Sequence, residues 1–145
     1  ALALGLLGDR FGISRMATVC FVLLIISHSL FAFTGNALGT LSMIMLNTLV
    51  TGIAIFGLRG LYFGLLEEGQ IPLAITGTAV GLVSVIGYTP DVYIAAVAGY
   101  LIDQSPGLAG FQHLFALLLG FSVIGAVAAI LFDRHARTDA DATGG

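Results

Sequence analysis

Long apolar stretches alternate with short polar breaks along the chain. About 20 mostly apolar residues carry a helix across the hydrocarbon core of a membrane. By this measure the sequence predicts four transmembrane helices, at about residues 16–33, 41–66, 73–102 and 111–132. The breaks between them are short and rich in turn-forming residues, so we expect consecutive helices to run antiparallel.

The two ends of the chain differ from this pattern. The chain opens on ALALGLLGDR, without an initiator Met and without the parts of a signal peptide. We therefore interpret the chain as a fragment of a longer protein, in which residues 1–15 hold the end of a preceding helix and a cytoplasmic loop. Residues 134–145 are small and polar, and they are predicted to form a disordered cytoplasmic tail.

Composition sets the class of protein. The 145 residues are 58% hydrophobic and 9% charged, whereas soluble domains carry about 25% charged residues. The predicted fold is therefore an all-α integral membrane protein, with the lipid bilayer as its surroundings. A net charge of −3 and the absence of a Lys-rich patch argue against a nucleic-acid partner.

Catalytic and metal-binding patterns are missing from the sequence. The three histidines are scattered, and neither metal-ligand spacing nor a Ser–His–Asp set can be placed on one side of the membrane. We expect a protein that is not an enzyme and that holds neither a metal nor another cofactor.

Arginines in the short loops predict the orientation. Arg10 and Arg15 flank the start of the first helix, and Arg134 and Arg137 follow the last one. Short loops with basic residues stay in the cytoplasm. Four helices return the chain to its starting side, so both clusters and the C-terminus are predicted to be cytoplasmic.

The two middle helices carry most of the polar residues. At helical spacing, one face of each holds a polar or small stripe: Thr48, Gly52, Arg59 and Tyr62 on the second helix, and Gly77, Gly81, Ser84, Tyr88 and Asp91 on the third. A stripe of small residues is more often a packing seam than a binding site. Pro90 is predicted to kink the third helix.

Arg59 and Asp91 are the charges at membrane depth. A charge there costs about 2.5–3.5 kcal/mol or more and faces a cavity or a partner. A structural ion pair is the alternative to a functional site. With a helical rise of about 1.5 Å per residue, the two positions differ in depth by roughly 15 Å, so direct pairing is not expected.

The opening loop resembles a known signature. Gly5, Leu7, Asp9, Arg10 and Gly12 match the G-x-L-x-D-R-x-G loop of the major facilitator superfamily, whose next two positions are usually basic. Here Ile13 and Ser14 stand in their place, as in the weaker copy of this loop between helices 8 and 9. The segments EEGQIP at 67–72, TGTAVG at 76–81 and GYLID at 99–103 are similar to the run from helix 10 through helix 11.

This resemblance implies that the four predicted helices are helices 9–12, within the C-terminal six-helix half of that fold. The runs RGLYF at 59–63, EEGQIP at 67–72 and SVIGYTPD at 84–91 look similar to a bacterial branch, the YihN-like permeases. The resemblance also implies that Gly5, Asp9, Arg10 and Gly12 form a loop that gates the conformational change. A plain tight turn is the alternative for this loop.

The leading hypothesis is a secondary active transporter of a small anionic organic solute in the bacterial inner membrane, working by alternating access and coupled to protons or another ion. In this hypothesis Arg59 binds the anion, and Asp91 is a proton site or a gate residue. Tyr62, Tyr88 and Thr48 complete the site. Glu67 and Glu68 mark where the second helix leaves the membrane.

The implied partners are the solute, a coupling ion and the missing N-terminal half of the same chain. The alternative function is a small four-helix membrane subunit, or a sensor of the same fold that does not transport.

Overall fold

Four helices make up the structure. The computed structural model describes residues 12–34, 41–61, 64–65, 72–105 and 107–143, with the side chains of all of these except residues 73, 91, 136, 137 and 139–143. The helices are α1 (Ile13–Thr34), α2 (Leu41–Leu61), α3 (Leu73–Gln104) and α4 (Leu108–Thr143), and this described part of the chain holds no strand. Each helix contains a stretch long and apolar enough to cross a membrane. The predicted all-α membrane fold is confirmed.

The start of α1 depends on a glycine. Gly12 has a φ of 91°, in the left-handed region that residues with a Cβ rarely adopt. Its carbonyl oxygen accepts a hydrogen bond from the backbone N–H of Met16 at 3.1 Å. Gly12 therefore turns the chain directly into α1.

A tight connection joins α3 to α4. Gly107 has a φ of 84°, and α4 begins at the next residue. A Cβ on Gly110 would lie 2.6 Å from the backbone oxygen of Ser105 and 2.8 Å from the Cα of Ile102. The first turn of α4 therefore approaches the end of α3 more closely than any residue with a side chain allows.

The end of the fourth helix differs from the sequence-based expectation. The fourth helix continues to Thr143, where a disordered tail was expected from residue 134 onward. Three alanines between residues 136 and 142 favour helix, and the Thr138 hydroxyl donates to the Arg134 carbonyl at 2.9 Å. The third helix runs from Leu73 to Gln104 with Pro90 inside it, as the predicted third helix does, although proline cannot donate to the carbonyl of Ile86. The kink at Pro90 stays a prediction.

Helix α1 lies at the centre of the packing. It makes its most extensive contacts with α4 and further contacts with α2, while α3 packs against α4. The core contains small and apolar side chains from three helices: Ala17, Cys20 and Leu24 on α1, Ala54 and Leu61 on α2, and Ala129 on α4. Small residues let the backbones approach closely, which is how helices associate in lipid.

The third helix is the least covered. None of its described residues is buried, and large apolar side chains such as Leu82, Val85 and Val92 are each more than 60% exposed. Because lipid is as apolar as these side chains, such exposure is expected within a membrane.

Candidate functional site

Arg59 meets Tyr88 between the two middle helices. Arg59 lies in the last turn of α2, and its guanidinium carbon is 5.5 Å from the centroid of the Tyr88 ring on α3. A cavity of about 120 Å³ lies at this contact, lined by Leu58, Arg59, Gly87 and Tyr88. The structure therefore brings together two of the residues that the sequence predicted to share a site.

Local sequence explains this geometry. A basic side chain near the C-terminal end of a helix interacts favourably with the helix dipole. A long arginine can also keep its stem in apolar surroundings while its charged end reaches a polar region. Gly87 precedes Tyr88 and adds no side chain to the space beside the ring.

Counting along straight helices does not predict the contact between Arg59 and Tyr88. The helical rise of about 1.5 Å per residue, which gave the offset between Arg59 and Asp91, gives an offset of roughly 10 Å between Arg59 and Tyr88 along the membrane normal. The observed contact shows that an offset counted in this way does not exclude a contact between the two side chains. Asp91 follows Tyr88 by three residues, and its side chain lies outside the described part of the structure, so the absence of an Arg59–Asp91 pair stays a prediction.

Thr48 takes no part in the lining of this cavity. Its side chain is exposed, and its hydroxyl donates to the carbonyl of Ile44 at 2.8 Å, within its own helix. Threonine commonly bonds its helix backbone in this way. The structure therefore places Thr48 away from Arg59 and Tyr88.

The other residues predicted for the site lie outside the described residues, with one exception. Tyr62, Glu67 and Glu68 are among those outside, and so are Gly5, Asp9 and Arg10 of the predicted gating loop. Gly12 is described, and its backbone conformation requires glycine. The gating role of the loop stays a prediction.

Sequence reasoning missed a polar cluster between α1 and α2. The Ser27 hydroxyl donates to Asn47 Oδ1 at 2.9 Å, and Asn47 Nδ2 donates to the Ser27 carbonyl at 3.2 Å. The Thr51 hydroxyl contacts the Ser27 hydroxyl and donates to the Asn47 carbonyl at 2.9 Å. The signals in the sequence were isolated polar residues in apolar helices, Asn47 and Thr51 in one and Ser27 in the other.

A second polar contact joins α1 to α4. His28 Nδ1 lies 3.0 Å from the Ser122 hydroxyl, and that hydroxyl donates to the Leu118 carbonyl at 2.8 Å. Because the hydroxyl proton is used there, we assign the ring proton to Nδ1, which donates to Ser122. Phe115 lies beside the imidazole, with ring centroids 6.1 Å apart.

At the other end of the same helix pair, Asp133 approaches the start of α1. The Ser14 hydroxyl donates to Asp133 Oδ1 at 3.0 Å. The Nε of Arg15 lies 3.9 Å from the same oxygen, and the Arg15 side chain is 58% exposed. A carboxylate at a helix N-terminus is favourable, so Asp133 joins α4 to the first turn of α1.

The described residues offer no site for a metal. They contain no group of three or more His, Cys, Asp or Glu side chains able to hold an ion. Within the same residues, no buried side-chain nitrogen or oxygen lacks a hydrogen-bond partner. The polar groups of the α1 contacts are thus satisfied within the protein.

Comparison with known proteins gives two relatives. The chain is similar to two inner membrane proteins. It is 32% identical over 88 residues to inner membrane protein YihN of Escherichia coli strain K12, an alignment that covers 61% of this chain and 21% of YihN. It is 33% identical over 84 residues to inner membrane protein YqcE of the same organism, covering 58% of this chain and 19% of YqcE.

The chain spans about a fifth of the length of these curated relatives. No family model and no solved structure matches it. The similarity to YihN that the sequence suggested is confirmed, and the four apolar helices support a location in an inner membrane, like that of the two relatives. Membership of the major facilitator superfamily stays a prediction.

Proposed function

We propose that the chain is part of a secondary active transporter of the major facilitator superfamily, which moves a small organic anion across the inner membrane by alternating access with proton or ion coupling. The observation that carries the proposal is the Arg59–Tyr88 contact at a cavity between α2 and α3. Ionisable residues within transmembrane segments commonly mark solute or ion pathways.

The chemistry of Arg59 favours an anion as the solute. Guanidinium stays charged at any physiological pH and offers paired N–H donors that match the oxygens of a carboxylate. Tyr88 and Leu58 give the same cavity an apolar wall. A small organic acid, which offers a carboxylate to the guanidinium, fits this combination.

The burial of the helices supports different roles for the pair α1 and α4 and the pair α2 and α3. Helices α1 and α4 pack closely and share buried polar contacts, whereas α3 has no buried residue among those described. In our proposal α1 and α4 form the supporting part of the protein, and the exposed sides of α2 and α3 face the pathway and the remaining helices of the transporter.

We also propose that the C-terminus lies in the cytoplasm. The Ser14–Asp133 hydrogen bond supports the expectation that the start of α1 and the end of the apolar part of α4 lie on one side of the membrane. Arg15 and Arg134 are exposed at that end, and basic residues next to helix ends favour the cytoplasmic side. A reporter that is active on only one side of the membrane, fused to the C-terminus, tests this orientation.

Uptake into proteoliposomes tests the function. The complete protein, expressed from its native reading frame, is screened with labelled lactate, succinate and gluconate, with and without a pH gradient. We expect uptake of at least one anion, and we expect Arg59→Gln and Arg59→Lys to abolish it while the protein still inserts. Lysine keeps the charge but loses the planar pair of donors.

Arg134→Gln is the matched control, because Arg134 is an exposed arginine where the apolar part of α4 ends. We expect this variant to transport at the wild-type rate. Normal uptake by both Arg59 variants would overturn the proposal. An anion that protects Arg59 from arginine-modifying reagents without being transported would favour the sensor alternative.

A further inference from the structure

The guanidinium of Arg59 lies over the face of the Tyr88 ring. The guanidinium carbon lies 5.5 Å from the ring centroid, within the distance of about 6 Å at which a cation is attracted to an aromatic face. The Tyr88 side chain is half exposed and lines the same cavity as Arg59. The contact therefore lies where a solute would arrive.

An arginine side chain that moves among many rotamers binds an anion more weakly, because it must lose this rotamer entropy when it binds. A contact that already holds the guanidinium in one place removes part of that entropy loss from the binding step. The flat guanidinium is well suited to such a contact, because it can stack on a ring while its N–H groups stay available at its edge.

We infer that Tyr88 is a positioning residue: its ring holds the guanidinium of Arg59 at the cavity, so that the guanidinium is already in place for the carboxylate of the solute. This inference rests on the proposed function and deepens it, because it gives Tyr88 a role through Arg59 instead of a hydrogen bond to the solute. It also makes the carboxylate, a planar group with two acceptor oxygens, the part of the solute that this site recognises.

The two roles of Tyr88 make opposite predictions. Tyr88→Phe keeps the ring and removes the hydroxyl, whereas Tyr88→Leu removes the ring. If the ring positions Arg59, the KM for the transported anion rises about two- to five-fold in Tyr88→Leu and stays near the wild-type value in Tyr88→Phe. The kcat is expected to stay unchanged in both, because the lost contact contributes to binding before and during transport alike.

Tyr93→Leu is the matched control, since Tyr93 lies on the same helix, is 43% exposed and does not line the cavity. We expect it to behave as wild type with the anions used in the screen, which are lactate, succinate and gluconate. An equal rise of KM in Tyr88→Phe and Tyr88→Leu would overturn the inference in favour of a hydroxyl role.

Failure of this inference differs from failure of the proposed function. If Arg59→Gln abolishes uptake but Tyr88→Leu leaves KM unchanged, the transporter stands and the positioning role is overturned. If Arg59→Gln transports normally, the proposed function itself is overturned.

A second measurement needs no transported solute. Phenylglyoxal modifies arginine side chains, and mass spectrometry of the peptides reports Arg59 separately from Arg15, which serves as the internal reference. Because the Tyr88 ring lies 5.5 Å from the guanidinium carbon and hinders access to it, we expect Arg59 to be modified faster in Tyr88→Leu than in wild type or Tyr88→Phe. The rate at Arg15 is expected to stay constant. Equal rates at Arg59 in all three proteins would overturn the inference, whether or not the variants transport.

Discussion

Replacing Asn47 with leucine tests the polar cluster between α1 and α2. Asn47→Leu keeps a branched side chain of similar shape but removes both side-chain hydrogen bonds to Ser27, at 2.9 and 3.2 Å. Asn47 is 8% exposed, so water or lipid headgroups cannot replace its partner easily.

The expected loss of stability follows from these bonds. Interhelical hydrogen bonds in membranes contribute about 0.6 kcal/mol on average and up to about 1.7 kcal/mol. The Ser27 hydroxyl keeps Thr51 and the Asn47 carbonyl within reach, so no buried group is stranded. We therefore expect Asn47→Leu to lower the free energy of unfolding by about 1–2 kcal/mol.

Unfolding by SDS in mixed detergent micelles, followed by circular dichroism, measures this change. Thr48→Val is the matched control on the same helix, because the Thr48 hydroxyl bonds only its own backbone at Ile44. We expect this control to change stability by less than about 0.5 kcal/mol.

A double-mutant cycle with Ser27→Ala isolates the interaction. We expect the double variant to be more stable than the sum of the two single effects predicts, with a coupling of about 0.6–1.7 kcal/mol. Strict additivity would mean that Asn47 and Ser27 do not interact across the two helices, and it would refute the reasoning.

Three further predictions concern the contact between α1 and α4. A Cβ on Gly125 would overlap the Phe21 ring, so Gly125→Ala should lower the unfolding free energy by about 1–3 kcal/mol in the same SDS titration. Gly120→Ala is the control, because a Cβ there meets nothing within 4 Å, and it should be neutral or stabilising. Cys20 is 1% exposed and should react with N-ethylmaleimide only after SDS unfolding; rapid labelling of the folded protein would contradict the packing. Asp133→Asn should cost less than about 0.5 kcal/mol at low or high salt, because its arginine partner is mostly exposed and asparagine keeps a side-chain oxygen that accepts from Ser14.

The four helices were predictable because their length and apolar composition are set by the thickness of the membrane. The third helix begins at Leu73, directly after Pro72, where the sequence placed its start, whereas α1 and α4 begin directly after Gly12 and Gly107, three residues before the expected positions. The helical end of α4 was missed because small polar residues suggested disorder, while the helix-forming tendency of its alanines was overlooked.

Which faces meet was not predictable from the same pattern. All four helices are apolar on most sides, and lipid supplies no hydrophobic force that would show which side is inside. Contacts such as that of Ser27 with Asn47 depend on the register between two helices. The sequence of either helix alone does not reveal that register. Arg59 and Tyr88 were both expected at the cavity. Their direct contact was not predicted, because counting along helix axes ignores how far side chains reach.

The position of α1 against α4 has a consequence for how the protein is made. Ribosomes deliver the helices to the membrane in order, and α2 and α3 must both enter before α4 can dock onto α1. Until then Ser14 and His28 lack the Asp133 and Ser122 partners that hold them in the finished structure. Nascent chains arrested before α4 should therefore carry an incompletely packed first helix, which is the kind of intermediate that membrane quality-control proteases and insertases bind.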